Sequence, residues 1–212
     1  MVRKGAGRVA SSAGRRVASR VGWSALFLMA ACAGHPAAPA PAPAPAPVTR
    51  GVASSSQSVY LMSRELMVPV SGVAPSQVPD TYTSPRSGGR EHRALDILAP
   101  RGTPVLAADY GRVLRLRTNP AGGITIYEID AGNRYVYYYA HLDHYASALT
   151  EGKNVAKGEI IGYVGTTGNA PANVPHLHFQ LMKRPNAARW WDGEPIDPKP
   201  FLTLPGRPAS GS

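Results

Sequence analysis

The stretch Val174-Pro175-His176-Leu177-His178-Phe179-Gln180-Leu181 alternates between polar and apolar residues. In a β-strand, side chains at i and i+2 share a face. The segment therefore predicts a strand with Leu177 and Phe179 toward a core and His176 and His178 pointing together into one space. Upstream stands His92-Arg93-Ala94-Leu95-Asp96, a histidine and an aspartate four apart that lead into the apolar run Leu95-Asp96-Ile97-Leu98. Between them, Tyr139-Ala140-His141-Leu142 ends the tyrosine-rich strand that begins at Tyr135. Three nitrogen or oxygen ligands plus one open position build a catalytic zinc site. A lone His-x-His is more often a surface pair; three histidine segments in one small chain favour a site. His35 and His144 are left for a linker and an exposed loop.

Working outward, the body of the chain reads as strands and turns. Short β-rich runs cover Gly111–Arg117, Gly123–Ile129, Arg134–His141, Ile160–Val164 and Pro175–Met182. Turn clusters such as Asn119-Pro120-Ala121-Gly122 and Asp130-Ala131-Gly132-Asn133 separate them, the second predicting a hairpin. Only Val59–Leu66 reads as a short helix. The expected fold class is all-β, mainly antiparallel, with a groove, and about 145 residues suffice to bury one core. Period two places Tyr137 and Tyr139 on the face of His141, lining the groove, and Val136 and Tyr138 in the core. Trp190-Trp191-Asp192-Gly193 either borders the groove or packs a loop on the core. No helix follows Gly162, Gly165 and Gly168, which excludes a phosphate-binding loop.

The three motifs, in this order, resemble those of the lysostaphin/LytM-type zinc metallopeptidases that cut peptidoglycan peptides. That family has an upstream His-x-Gly-x-Asp, a middle Tyr-x-His-Leu and a downstream His-Leu-His. The glycine-rich run Gly158–Gly168 and the turn Ala99–Val105 are similar too, and the likeness covers residues 60 to 204. Ala94 stands where the family has glycine, which matters only if that position needs a positive φ. The resemblance implies a two-sheet, groove-bearing fold and a Zn2+ ion held by His92, Asp96 and His178. It implies His141 and His176 as unligated proton-handling groups and a zinc endopeptidase acting on peptidoglycan crosslinks. The alternative is a non-catalytic regulator, since relatives that have lost metal ligands activate other wall hydrolases. All five residues are intact here, which argues for the enzyme. Whether residues 68–89 fold over the groove is not legible from the sequence, nor is oligomeric state.

The N-terminus has a different character. Residues 1–31 carry six basic residues and no acid, with a short apolar run from Trp23 to Ala31. That is the layout of a secretory signal peptide. Leu28-Met29-Ala30-Ala31-Cys32 resembles a bacterial lipoprotein cleavage site, and Cys32 is the only cysteine, which excludes an internal disulfide. Residues 32–58 then form a linker with the tract Pro36–Pro47, which reaches about 37 Å if extended. The expected organisation is signal peptide 1–31, lipid-anchored linker 32–58, peptidase domain 59–204 and tail 205–212. The expected location is the cell envelope, on the periplasmic face of an outer membrane. Net charge is +10, but the chain beyond residue 31 holds 17 basic and 13 acidic residues, a balance of +4. No basic stripe with interleaved aromatics is present, so nucleic-acid binding is not expected.

Overall fold

A computed structural model describes residues 55–184 and 188–209. The signal segment, Cys32 and the Pro/Ala tract lie outside the described residues. The chain opens with helix α1 (Ser55–Arg64) and continues through β1 (Leu66–Met67), β2 (Pro85–Arg86), β3 (Arg90–Glu91), β4 (Leu95–Leu98) and β5 (Pro104–Leu106). Three long strands follow: β6 (Gly111–Asn119), β7 (Gly123–Asp130) and β8 (Tyr135–Tyr145). The remainder is β9 (Asn154–Val155), β10 (Ile160–Val164), β11 (His176–Lys183), β12 (Glu194–Ile196) and β13 (Leu202–Leu204). The strand expectations hold. The helix lies earlier than Val59–Leu66, because Glu65 takes a left-handed φ of 46° and releases the chain into β1. Among the described residues no helix is long and apolar enough to cross a membrane.

The main sheet runs β12-β11-β8-β7-β6-β9, with β4 on the other side of β11 and β10 pairing both β8 and β5. β8 joins two layers: Tyr135–Ala140 pairs with β11, and Leu142–Tyr145 with β10. One face of the sheet is buried by Leu95, Ile97, Ile126, Tyr137, Tyr139, Leu142, Leu177, Phe179 and Leu181. Most of the segment 68–89 packs away from the groove, and only its end, Pro85, Arg86 and Ser87, lines it. Val68, Val70, Val78 and Tyr82 sink into this core, and the Tyr82 hydroxyl donates to Pro195 O at 3.0 Å. Helix α1 docks through Leu61 and through Arg64, whose Nε and Nη2 donate to the buried Asp109 carboxylate at 2.7 and 2.9 Å.

The β7–β8 hairpin turns on Asp130. Its carboxylate accepts from the backbone N–H groups of Gly132, Arg134 and Tyr135 at 3.1, 2.6 and 2.7 Å and from the Tyr60 hydroxyl at 2.6 Å. Asn133 takes φ 54°, which asparagine tolerates better than most residues. Removing a buried acceptor orphans its donors at about 1–3 kcal/mol each when they stay dry. Asp130→Ala is therefore expected to lower unfolding stability by roughly 2–4 kcal/mol, measured by urea denaturation, with the β8 register and α1 docking both weakened.

Candidate metal centre and catalytic groove

Strand register assembles the centre. β4 pairs β11 so that Asp96 lies directly opposite His178, while Ala140 of β8 flanks His178 on the other side. Directly opposed side chains in an antiparallel pair meet. His92 enters from the turn before β4, where its backbone N–H donates to Ser84 O at 2.9 Å. His92 Nε2 lies 3.0 Å from Asp96 Oδ1 and 3.0 Å from His178 Nδ1, and His178 Nδ1 lies 3.1 Å from Asp96 Oδ1. Three ligand atoms form a nearly equilateral triangle. Zinc–nitrogen distances of about 2.0–2.1 Å in a tetrahedron require edges of about 3.3 Å. The triangle fits that ion after a shift of a few tenths of an ångström, and its donor set is one zinc prefers.

Backbone carbonyls fix the imidazoles. His92 Nδ1 lies 3.0 Å from Thr81 O, His141 Nδ1 lies 2.8 Å from Thr167 O and His176 Nδ1 lies 2.8 Å from Val174 O. A carbonyl only accepts, so each Nδ1 carries the proton and each Nε2 keeps its lone pair. For His92 that lone pair faces the other two ligand atoms, the arrangement by which outer partners orient metal ligands. Thr81 also steadies Asp96, accepting from its backbone N–H at 2.9 Å through Oγ1. Burial would raise the Asp96 carboxyl, but the facing His178 and His92 rings, in their protonated form, outweigh it and hold the group well below the usual carboxylate range. Burial lowers His178, against the pull of Asp96.

His141 and His176 stand beside the triangle. Their ring centroids are 4.9 Å apart, His141 is 5.7 Å from the His178 ring, and His176 Nε2 is 3.8 Å from Asp96 Oδ1. Burial pushes His141 down to about 4, helped by the neighbouring His178 and His176, so the ring is neutral at pH 7. A neutral imidazole with a free Nε2 can accept a proton.

The tyrosine assignment needs correction. His141 has φ 62°, and between β7 and β8 the register steps from Ile126 opposite Tyr139 to Ile124 opposite Leu142. Three residues of β8 thus match two of β7, a bulge that inserts one extra residue. The alternation shifts there: His141 shares the groove with Ala140 and Tyr138, while Tyr137 and Tyr139 face the core. Core partners take up their hydroxyls. Tyr139 donates to Glu128 Oε2 at 2.5 Å, and Tyr137 to Asp109 Oδ2 at 3.1 Å. The bulge is locked by the β6–β7 turn and by the glycine-rich run. His141 N–H donates to Gly122 O at 2.8 Å, and Thr167 Oγ1 donates to Leu142 O at 2.7 Å. Gly168, at φ 76°, comes so close to Gly123 that a Cβ would lie 2.3 Å from the Gly123 nitrogen.

Ala94 is buried without a positive φ, so the missing glycine costs nothing there; Arg93 takes φ 57° instead. Trp190 packs edge-on against Tyr127, ring centroids 4.6 Å apart, over a small second core of Leu114, Ile129, Val136 and Met182. Sequence reasoning missed Thr81, Thr167 and Arg86, whose Nη2 donates to Asp96 Oδ2 at 2.7 Å. Thr81 and Arg86 lie in no motif, and Thr167 sits in the glycine-rich run with nothing in the sequence to single it out. The groove has a volume of about 770 Å³; Arg86 and Arg90 stand on one side, and Asn169, Ala170, Pro171 and Val174 line it too.

The groove of this antiparallel β domain brings a His-Asp-His triangle that could hold a metal ion together with two further histidines. Residues 90–198 match peptidase family M23, and the chain belongs to that family. It is 36% identical over 120 residues to the L-Ala–D-Glu endopeptidase of Bacillus subtilis, covering 54% of this chain and 35% of that protein. It is 36% identical over 93 residues to the peptidoglycan DD-endopeptidase ShyC of Vibrio cholerae, covering 44% of this chain and 20% of that one. The structure of LytU superposes with a TM-score of 0.50 at 32% identity, covering 59% of this chain and 83% of the other. The match thus spans about a third or less of the length of these curated relatives.

Proposed function

We propose that the chain is a zinc-dependent endopeptidase that hydrolyses peptide crosslinks of bacterial peptidoglycan. The observation that carries the reading is the 3.0–3.1 Å triangle of His92, Asp96 and His178 with two oriented, unligated imidazoles beside it. The endopeptidase names of its relatives support the same substrate class. When bound, zinc lowers the pKa of its water to about 7 and polarises the carbonyl to be attacked. His92 Nε2, Asp96 Oδ1 and His178 Nδ1 would hold it. His141 or His176 takes the proton from the attacking water at Nε2 and returns it to the leaving amine. The second histidine donates to the oxyanion when it is protonated at Nε2 as well as at Nδ1. Digestion of purified peptidoglycan with mass analysis tests the reading. Crosslinked dimers should become monomers that together gain one water; intact dimers after full zinc loading would favour a regulator without activity of its own.

The signal layout and Cys32 support a cell-envelope lipoprotein, tethered by acyl chains at Cys32 with the Pro/Ala tract as spacer. Two or more acyl chains anchor stably where one is marginal. Cys32→Ser is expected to move the protein from the membrane fraction to the soluble one without changing the activity of the purified domain. Mass spectrometry finding unmodified Cys32 in the mature protein would remove the anchor from the account.

A further inference from the structure

The β2–β3 hairpin pairs Arg86 directly with Arg90 across its two strands. Like charges placed directly opposite each other destabilise a hairpin. The turn between them, Ser87-Gly88-Gly89, reverses on two left-handed glycines, with φ of 75° and 71°. Both arginines line the groove. Arg86 is held by Asp96 Oδ2 at 2.7 Å and has further N–H donors to offer. Arg90 is exposed, and its side chain makes no hydrogen bond or ion pair among the described residues. The acids nearby are committed: Asp96 to the metal triangle and Arg86, and Glu91 to Arg93 at 3.7 Å. Other residues of the groove, Ala121, Gly122, Asn169, Ala170, Pro171 and Val174, carry no charge. Two opposed guanidiniums, of which only Arg86 is paired with an acid, beside a centre built for a dication, form a site short of negative charge.

We propose that Arg90, with Arg86 beside it, binds a free carboxylate of the substrate next to the bond to be cut, and so selects acidic stem peptides. This inference rests on the peptidase reading for its substrate class. A guanidinium grips a carboxylate through two parallel N–H···O bonds, which fixes orientation as well as charge. Arg86 is tied to Asp96, so Arg90 is the residue whose change reports on the substrate alone.

The test is binding of a fluorophore-labelled stem tetrapeptide, L-Ala-γ-D-Glu-L-Lys-D-Ala, with free carboxyls and with every carboxyl amidated. Fluorescence anisotropy is read on the parent chain, Arg90→Ala and Arg90→Lys. The parent should bind the free acid about tenfold tighter, as expected for a charge-assisted hydrogen-bond pair. Arg90→Ala should bind both peptides as weakly as the parent binds the amide, and Arg90→Lys should keep part of the preference. Equal binding of both peptides by the parent, or an undiminished preference in Arg90→Ala, would overturn the inference. Cleavage of purified peptidoglycan by the same samples separates the two readings. A carboxylate preference without cleavage leaves this inference standing and removes the hydrolase, and cleavage without preference does the reverse.

Discussion

His92→Ala, Asp96→Ala and His178→Ala are each expected to abolish nearly all hydrolysis of crosslinked peptidoglycan. The three ligand atoms come from a turn, β4 and β11, and each is 3.0–3.1 Å from the other two. Losing one leaves two, too few for a tetrahedral ion with one open position. Water that is no longer metal-bound has a pKa of about 15.7 instead of about 7, so the nucleophile at neutral pH falls by many orders of magnitude. A loss beyond ~10⁴-fold is therefore expected in each variant. Circular dichroism should show the β fold intact, because the core of Leu95, Ile97, Leu177 and Phe179 lies on the opposite face of the same strands.

His141→Ala and His176→Ala are expected to behave differently. Neither ring belongs to the triangle, so metal content should stay at the parental level. Turnover should fall by about 10²–10⁴, the usual contribution of a positioned acid–base group. The bulge at His141 adds a condition. Its left-handed backbone is held by Gly122 and Thr167, so alanine inherits the strain without the ring–carbonyl bond. His141→Gln and His141→Asn therefore serve as controls, asparagine being the residue best suited to a left-handed position. Parental turnover in any of these variants would remove that histidine from the mechanism.

The period-two strands were legible because one face of each is apolar: Leu177, Phe179 and Leu181 are buried, with His176 and His178 on the other face. The three histidine motifs were legible as a set. Their meeting was not, because Asp96 opposite His178 is a register between strands more than 75 residues apart. Tyr137 and Tyr139 were misplaced for a local reason. One inserted residue reverses every side chain beyond it, and nothing in Tyr139-Ala140-His141-Leu142 announces that insertion. Glycines near Thr167 looked like turn punctuation, yet Gly168 permits the close approach to Gly123 that buttresses the bulge. Arg86 sits in a short hairpin whose sequence carries no motif, so only the folded chain brings it to Asp96.

Elemental analysis of zinc in purified parent and Asp96→Ala protein tests the central claim most directly. Asp96 Oδ1 is the atom both imidazoles converge on, and its removal leaves no carboxylate in the triangle. The expected result is one zinc per chain in the parent and close to none in the variant. Full zinc occupancy in Asp96→Ala would contradict the account.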